Sequence, residues 1–436
     1  MPSVVPSTSG QLPLVSCLMP AFNYGAYIGG AIESALAQDY PADRIEIVVV
    51  DDGSTDGTPE IVKRYGDRVR YLRKENGGIN SAINRAMAEC RGELIAFLDA
   101  DDEWLPTKVS RQVDFMLRHP DAGLVYGDLE VIDADGALAH PSFWSACGMQ
   151  PVRGRVLADL LVRNQVTGGS MMVRAEHLDR FHPMPPEAAW VDWWIALRVA
   201  EVAEIDYVAE PNYRYRLHGS NTNFGATGER LVRALERELT FRRWLMPTLP
   251  LETLSAEEVA RAVAGLDACV AQLAKAAGRP VATLIEVSDG DRALAGAAVA
   301  AAARGASDAE RVASLALALA HDPLHGPARV PLVNAGVLTA TEAAHMAAPP
   351  ARSQLTVVNA SEAIADPALL AGYGRRFGPD DDATLLIALA DDKELEPLRH
   401  AVAAAGLDGD DAPDMLASTL GPAGAGTANQ LAPAHA

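Results

Sequence analysis

The chain has 436 residues, of which 49% are hydrophobic and 22% charged, a composition of folded rather than disordered or fibrous protein and a length beyond one ordinary domain. Its formal net charge of -21 argues against a broad phosphate-backbone footprint, so nucleic acid is not an expected partner. The four cysteines, Cys17, Cys90, Cys147 and Cys269, lack CxxC spacing and give neither a disulfide framework nor a zinc site, which fits a cytoplasmic protein. No run reaches the roughly 18 apolar residues of a membrane span, and "MPSVVPSTSG" reads as a loose tail without a leader pattern.

In chain order, "LVSCLM", "IEIVVV", "VRYLR" and "ELIAFLD" read as buried strands, separated by helical segments near 26–38, 57–65 and 79–90. This alternation predicts an α/β fold on a mostly parallel, Rossmann-like sheet. Ligands of such sheets collect outside the carboxyl ends of the strands. The clusters "DDGSTDG" and "DADD" each begin where an apolar strand ends, so both are expected on one rim. From Gly123 to about Gly219 the pattern is mixed, with "GLVYGDLEVI" and "GGSMMVR" as strands and "WVDWWIALRVAE" as an amphipathic helix. After about Thr227 alanine, leucine and arginine dominate with helical periodicity, and further on 355–360 and 382–390 read as strands, 367–377 and 394–405 as helices. The expected organisation is a flexible tail over 1–11, a catalytic domain over 12–225, a mainly helical region over 226–350, a small α/β module over 351–420 and a disordered tail over 421–436.

Several readings of the polar clusters fail on spacing. Asp52, Ser54, Asp56 and Gly57 imitate the start of a calcium loop, but the position that needs a bidentate glutamate is Lys63. "PAFNYGAYIGG" after the first strand misses the dinucleotide GxGxxG pattern, and no GxxxxGK[ST] occurs. Turn formation and helix capping account for Ser54, Thr55 and Asp56 as well as a ligand does. Asp51 and Asp52 can accept an N–H donor such as a pyrimidine imide. Asp99, Asp101 and Asp102 put hard oxygen ligands on one tight turn, and Mg²⁺ or Mn²⁺ is well served by one or two carboxylates plus substrate phosphates. An acidic chain needs such a cation to hold an anionic diphosphate. Asn76 and Gly77 in "NGGINSAINRA" either meet a donor or cap a helix. Gly168, Gly169 and Ser170 form a small-residue turn that lets a ligand approach the backbone, or a plain bulge. Trp190, Trp193 and Trp194 offer flat faces for stacking a ligand, although at helical spacing some of them must face the core. Arg174, Arg214 and Arg216 are either phosphate partners or ordinary surface arginines.

The ordered set "SCLMPAFNYGAYIGGAIESALAQDYPADRIEIVVVDDGSTDGT", "ENGGINSAINRAMAECRGELIAFLDADDEW", "WVDWWIALR" and "YRLHGSN" resembles the inverting glycosyltransferase family 2, with the A-type nucleotide-diphospho-sugar fold, over about residues 12–223. The resemblance implies that Asp51 and Asp52 bind the nucleoside base, Asp52 taking the imide, with Pro20, Ala21, Phe22 and Asn23 lining the same pocket. It places the D-x-D motif on Asp99-Ala100-Asp101, with Asp101 on the metal and Asp99 on ribose or sugar. Asp192 becomes the catalytic base, His218 a metal or diphosphate contact. Val191 stands where the family usually has a glutamate, which removes a supporting carboxylate. The implied activity is metal-dependent transfer of a sugar from a nucleotide-diphospho-sugar, uridine-linked, to a hydroxyl of a saccharide, lipid-linked glycan or protein, in a setting such as cell-surface polysaccharide synthesis. Peripheral membrane association and a homo-oligomer stay open.

The chemistry agrees with that mapping. Inverting transfer needs a base for the acceptor's proton and stabilisation of the departing diphosphate, and a carboxylate partly desolvated among tryptophans has its pKa raised, as a base should. Two rivals remain. A sugar nucleotidylyltransferase should carry an N-terminal GxGxR-like loop, which "PAFNYG" is not, and a catalytically silent sugar-nucleotide-binding module is kept open by Val191. The segment "RRFGPDDDATLLIALADDKELEPLRHAVAAAGLD" resembles a strand–helix unit from B-type glycosyltransferases, read as a remnant serving packing, acceptor contact or assembly.

Overall fold

The computed structural model describes residues 11–218, 227–279, 284–305, 307–323, 325, 328, 332, 354–376, 383–389, 392–407, 414–419 and 429–430. Contacts divide the chain into two compact units, Met1–Ala226 and Thr227–Ala436.

The first unit is organised by one sheet. β1 (Val15–Ala21) and β2 (Ile45–Asp51) run parallel, with Val15 opposite Ile45 and Ala21 opposite Asp51. β3 (Arg70–Arg73) lies beside β2, and β4 (Leu94–Phe97) beside β1, both parallel. All seven residues of β1 and all four of β4 are buried, as strands covered on both faces require. The covering helices use the 3.6-residue period: α1 (Ile28–Leu36) buries Ile28, Ala31, Ile32 and Ala35, and after the short α2 (Thr58–Lys63), α3 (Ile79–Glu89) buries Ala82, Ile83, Ala86 and Met87. α4 (Lys108–Arg118) adds Val109, Val113 and Met116, which join Cys17, Met19, Ile47 and Val49 in one core. Each fully buried aliphatic side chain contributes roughly 1.5–3 kcal/mol.

Beyond β4 the sheet changes direction. β5 (Glu103–Trp104), β6 (Ala122–Ile132), β7 (Leu138–His140), β8 (Met172–Arg174) and β9 (Glu204–Arg216) complete the order β3-β2-β1-β4-β8-β6-β9-β5, with β7 on β6. β8 is antiparallel to both β4 and β6, whereas β6 and β9 are parallel. The parallel expectation therefore holds for the first half of the sheet and gives way to a mixed second half. The stretch "GGSMMVR" is only partly strand. Gly168–Ser170 forms a 3-10 turn, because the Gly169 backbone lies against the Tyr213 ring, where an added methyl would stand 2.6 Å from the ring edge. Four helices, α5 (Phe143–Cys147), α6 (Leu157–Val162), α7 (Leu178–Phe181) and α8 (Val191–Ala200), flank this half.

The second unit begins with α9 (Gly228–Leu245), α10 (Ala256–Ala277), α11 (Asp289–Ala302) and α12 (Asp308–His321). The last three each start on a capping box, Ser255 with Glu258, Ser288 with Asp291 and Ser307 with Glu310, which satisfies otherwise orphaned backbone donors. Farther on, Gln354–Asn359, Ala383–Leu389 and Asp414–Thr419 form three parallel strands, joined by helices over Ala360–Ala365, Pro367–Arg376 and Leu395–Ala404. Within the tail expected to be disordered, Asn429–Gln430 pairs antiparallel with Leu416 and Ala417; the rest of 421–436 lies outside the described residues. Among the described residues no helix is long and apolar enough to cross a membrane.

Candidate active site

The parallel register brings the ends of β1 and β2 together, and the loops beyond them interlock. Asp51 is fully buried; its Oδ1 accepts from the Ser54 N–H at 2.7 Å and its Oδ2 from the Tyr71 hydroxyl at 2.5 Å, with Arg73 3.7 Å away. Asp52, 3% exposed, accepts from Lys74 Nζ at 2.5 Å, the Gly77 N–H at 3.0 Å and the Gly78 N–H at 2.7 Å. Gly78 has φ of +82°, the left-handed conformation that lets two successive N–H groups turn onto one carboxylate at the start of α3. On the facing loop Asn23 accepts from the Thr55 N–H at 2.8 Å and donates its own N–H to Ser54 Oγ at 2.9 Å. Phe22, 44% exposed, follows the last residue of β1.

The second acidic cluster is wired differently. β4 ends at Phe97, and the turn that follows is closed by the Asp102 N–H donating to the Asp99 carbonyl at 3.1 Å. The pairing of β5 with β9 carries the end of β9 to this turn. Asp102 Oδ1 accepts from the Arg216 N–H at 2.8 Å, Arg216 Nε donates to the Asp101 carbonyl at 3.0 Å, and His218 Nε2 stands 2.9 Å from Asp101 Oδ2. The His218 ring is stacked on Tyr27 at 5.1 Å between centroids. Asp99 receives no hydrogen bond on its carboxylate from the described residues. The protein around it and the carboxylates of Asp101 and Asp192 push Asp99 up to about 7, although one side stays open to solvent. Burial, with Asp101 and Asp99 close by, drives Asp102 well above the usual carboxylate range.

Asp192 enters this cluster from the other side. It sits in the first turn of α8, half-buried, with Oδ1 accepting from the Trp193 N–H at 2.7 Å and from Asn164 Nδ2 at 3.1 Å. Its Oδ2 accepts from the Gly168 N–H at 3.2 Å. A methyl placed on Gly168 would lie 3.9 Å from both Asp192 Cβ and Asp99 Oδ2, so that glycine lies close to both residues. Burial pushes Asp192 up to about 6 against the lowering effect of its three donors. A carboxylate with that affinity for a proton can act as a base near neutral pH.

Comparison with known proteins places this geometry in context. Residues 16–175 match the model of "Glycosyl transferase family 2". An uncharacterized glycosyltransferase of Nostoc sp. is 30% identical over 224 residues, which cover 49% of this chain and 67% of that protein. The chain belongs to glycosyl transferase family 2. An uncharacterized glycosyltransferase of Rickettsia felis is 35% identical over 199 residues, 44% of this chain and 32% of its own length. A hyaluronan synthase of Pasteurella multocida is 32% identical over 223 residues, 50% of this chain and 22% of its own length. The chain thus spans about a third or less of the length of these two longer relatives.

Within this family member the residues named from sequence separate into two groups. Asp51, Asp52, Asn23, Phe22 and Gly77 gather on the β1 and β2 side, with Asn76 exposed in the same loop. Asp99, Asp101, His218, Gly168 and Asp192 gather at the end of β4. Pro20, Ala21 and Ala100 are buried, so only their backbone can face a ligand. Three expected acceptor contacts turn inward. Ser170 is fully enclosed with its hydroxyl donating to the Thr167 carbonyl at 2.8 Å, Gly169 packs on Tyr213, and Trp193 is 3% exposed with Nε1 donating to the Leu160 carbonyl at 2.7 Å. Trp190, half-buried and edge-on to Trp193 at 5.9 Å, keeps the open position of that pair. The three arginines bind protein groups: Arg174 the Ala122 and Met116 carbonyls, Arg214 the Glu130 carboxylate, Arg216 the 101–103 turn. Sequence reasoning passed over Lys74, Tyr71 and Asn164, which hold the acidic side chains from 20 to 28 residues away in the chain. No local pattern marks such partners.

Proposed function

We propose that the first unit transfers a sugar from a nucleotide-diphospho-sugar, uridine-linked, to an acceptor hydroxyl with inversion, Asp192 serving as base. The observation that carries this reading is the position of Asp192, half-buried, held by three donors, raised to about 6 and close to the same glycine as Asp99. Gly168 leaves space beside both residues, and there an acceptor hydroxyl can pass its proton to Oδ2 of Asp192 while its oxygen attacks the anomeric carbon in line with the leaving diphosphate. Trp190, beside that base, supplies an apolar face for a sugar acceptor, in keeping with relatives named for the polysaccharides hyaluronan and chondroitin. Asp52 and its loop offer the acceptor side of a base-recognition site.

Asp101 and His218 offer one carboxylate and one imidazole to a divalent cation whose remaining shell would come from substrate, since no cluster of three or more His, Cys, Asp or Glu placed to hold a metal occurs among the described residues. Asp101 and His218 are in contact, Asp99 and Asp102 crowd the same turn, and burial first, then the neighbouring carboxylates, raise the affinity of Asp99 and Asp102 for protons, a penalty on their charge that a cation relieves. Carboxylate with one imidazole suits Mn²⁺, or Mg²⁺ with phosphate oxygens completing its shell. Asp101 and His218 would hold such a cation, which would supply charge neutralisation for a departing diphosphate. A thermal-shift and product-release panel of UDP-, GDP- and dTDP-sugars with and without Mn²⁺ tests the proposal. The expected outcome is metal-dependent stabilisation by UDP-sugars and slow UDP release, both lost in Asp101→Ala. Undiminished donor binding in EDTA would remove the metal from the reading, and binding without any turnover would leave a silent binding module.

A further inference from the structure

Lys108 opens α4 with no exposed surface at all, a situation lysine seldom occupies without a counter-ion. The described residues give it no carboxylate. Its Nζ lies 2.5 Å from Gln112 Oε1 one turn along the helix, 3.3 Å from the Ser170 carbonyl and 3.4 Å from the Met171 carbonyl, with the Trp104 ring centroid 4.9 Å away. The Ser170 carbonyl also accepts from Gln112 Nε2 at 2.7 Å and from Asn212 Nδ2 at 2.9 Å. Three side chains, two from α4 and one from β9, therefore converge on one oxygen that has only two lone pairs. Satisfying a buried carbonyl takes one donor; three fix its position.

That carbonyl ends the Gly168–Ser170 turn. The turn is closed by the Ser170 N–H donating to the Thr167 carbonyl at 3.0 Å, and its first residue donates to Asp192 Oδ2 and lies close to Asp99 as well. A displacement of the turn would move the base relative to the sugar site, and misplacement by about 1 Å costs on the order of 10²-fold in rate. We propose that Lys108 is a positioning residue for the base, acting with Gln112 and Asn212 through the Ser170 carbonyl to hold the Gly168 N–H against Asp192. Lys108 itself touches neither donor nor acceptor. The inference rests on the reading of Asp192 as base.

Lys108→Met in the full chain keeps the length and apolar packing of the side chain and removes its donors. The measurement is release of nucleoside diphosphate from whichever UDP-, GDP- or dTDP-sugar the unaltered chain turns over fastest with Mn²⁺. The expected result is a kcat lower by about tenfold or more with the donor KM unchanged. Because the Gly168 N–H lowers the proton affinity of Asp192, its loss also moves the acid limb of the kcat profile to higher pH. In an Asp192→Asn background the same substitution should cost nothing further, since both act on one proton transfer. Retained kcat with an unmoved pH limb overturns the proposal. Asn212→Ala removes one donor from the opposite side and serves if Lys108→Met does not fold; it should shift kcat and limb in the same direction, and no shift there overturns the proposal equally. Wild-type turnover in Asp192→Asn sinks the base assignment itself, whereas an inactive Asp192→Asn beside a fully active Lys108→Met sinks only the positioning role.

Discussion

The aspartates at the ends of the neighbouring strands β2 and β4 have opposite surroundings. Asp51 and Asp52 together accept hydrogen bonds from Ser54, Tyr71, Lys74, Gly77 and Gly78, so their charge is spent on shaping the loops around them. Asp99, with Asp101 and Asp192 near it, receives no hydrogen bond on its carboxylate from the described residues and is shifted upward. The residue type and the strand-end location are the same; the supply of donors differs. A carboxylate rich in donors is a finished part of the scaffold and one short of them holds free energy that a cation or a proton can release, while Asp192 combines the two, three donors fixing it as burial raises its affinity for a proton.

The sharpest way to break this contrast is Asp192→Asn. The amide preserves shape and can still accept from the Trp193 N–H, but it takes no proton, so transfer should fall by about 10²–10⁴-fold while donor binding with Mn²⁺ stays normal. In the unaltered chain kcat should fall as pH drops through about 6, because the protonated carboxyl is no longer a base. A flat profile between pH 5 and pH 8 would show that another group takes the proton, with Asp102, Glu187 and His218 next to be tried. Of these Asp102 is 2% exposed and accepts from the Arg216 backbone, the poorest access of the three.

A smaller effect belongs to the donor-rich pair. Asp52→Asn turns charge-assisted hydrogen bonds from Lys74, Gly77 and Gly78 into neutral or mismatched ones, a change of about 1–3 kcal/mol. If Asp52 also accepts the uracil imide, uridine donors weaken more than guanosine or adenosine donors in a competition assay. Equal weakening of every nucleotide would mean that Asp52 acts only through the loop.

Much of this architecture was legible in the sequence, for a physical reason. Parallel strands covered on both faces need continuous apolar runs, and "LVSCLM" and "IEIVVV" are such runs, so the strand ends and their aspartates could be placed in advance. The second half of the sheet was less legible. β5 is two residues long, and Gly168–Ser170 is held out of strand geometry by Tyr213 and by side chains from α4 and β9 that no local pattern reveals. The orientation of the tryptophans was hidden for a related reason. In α8 Trp193, Trp194, Ile195, Ala196 and Leu197 are all buried, so the helix has no polar stripe from which an outward face could be read. The role of Val191 follows the same logic, since Asn164 and Gly168, not a neighbouring glutamate, orient Asp192.

The smallest expected effect compares Asp99→Asn with Asp51→Asn in the absence of metal and nucleotide. Asp51 is fully buried and loses part of its bonding to Ser54, Tyr71 and Arg73 on amidation, leaving at least one buried group mismatched, so the melting temperature should drop. Among the described residues Asp99 has no donor to lose, and its amide ends repulsion with Asp101 and Asp192. Solvent on its open side limits that gain. The melting temperature of Asp99→Asn should therefore stay level or rise slightly in EDTA, while its ability to be stabilised by Mn²⁺ and a UDP-sugar declines. A clear loss of stability in Asp99→Asn would show that Asp99 has structural partners after all, and the division between a donor-rich scaffold and a donor-poor reaction centre would fail at the residue that defines it.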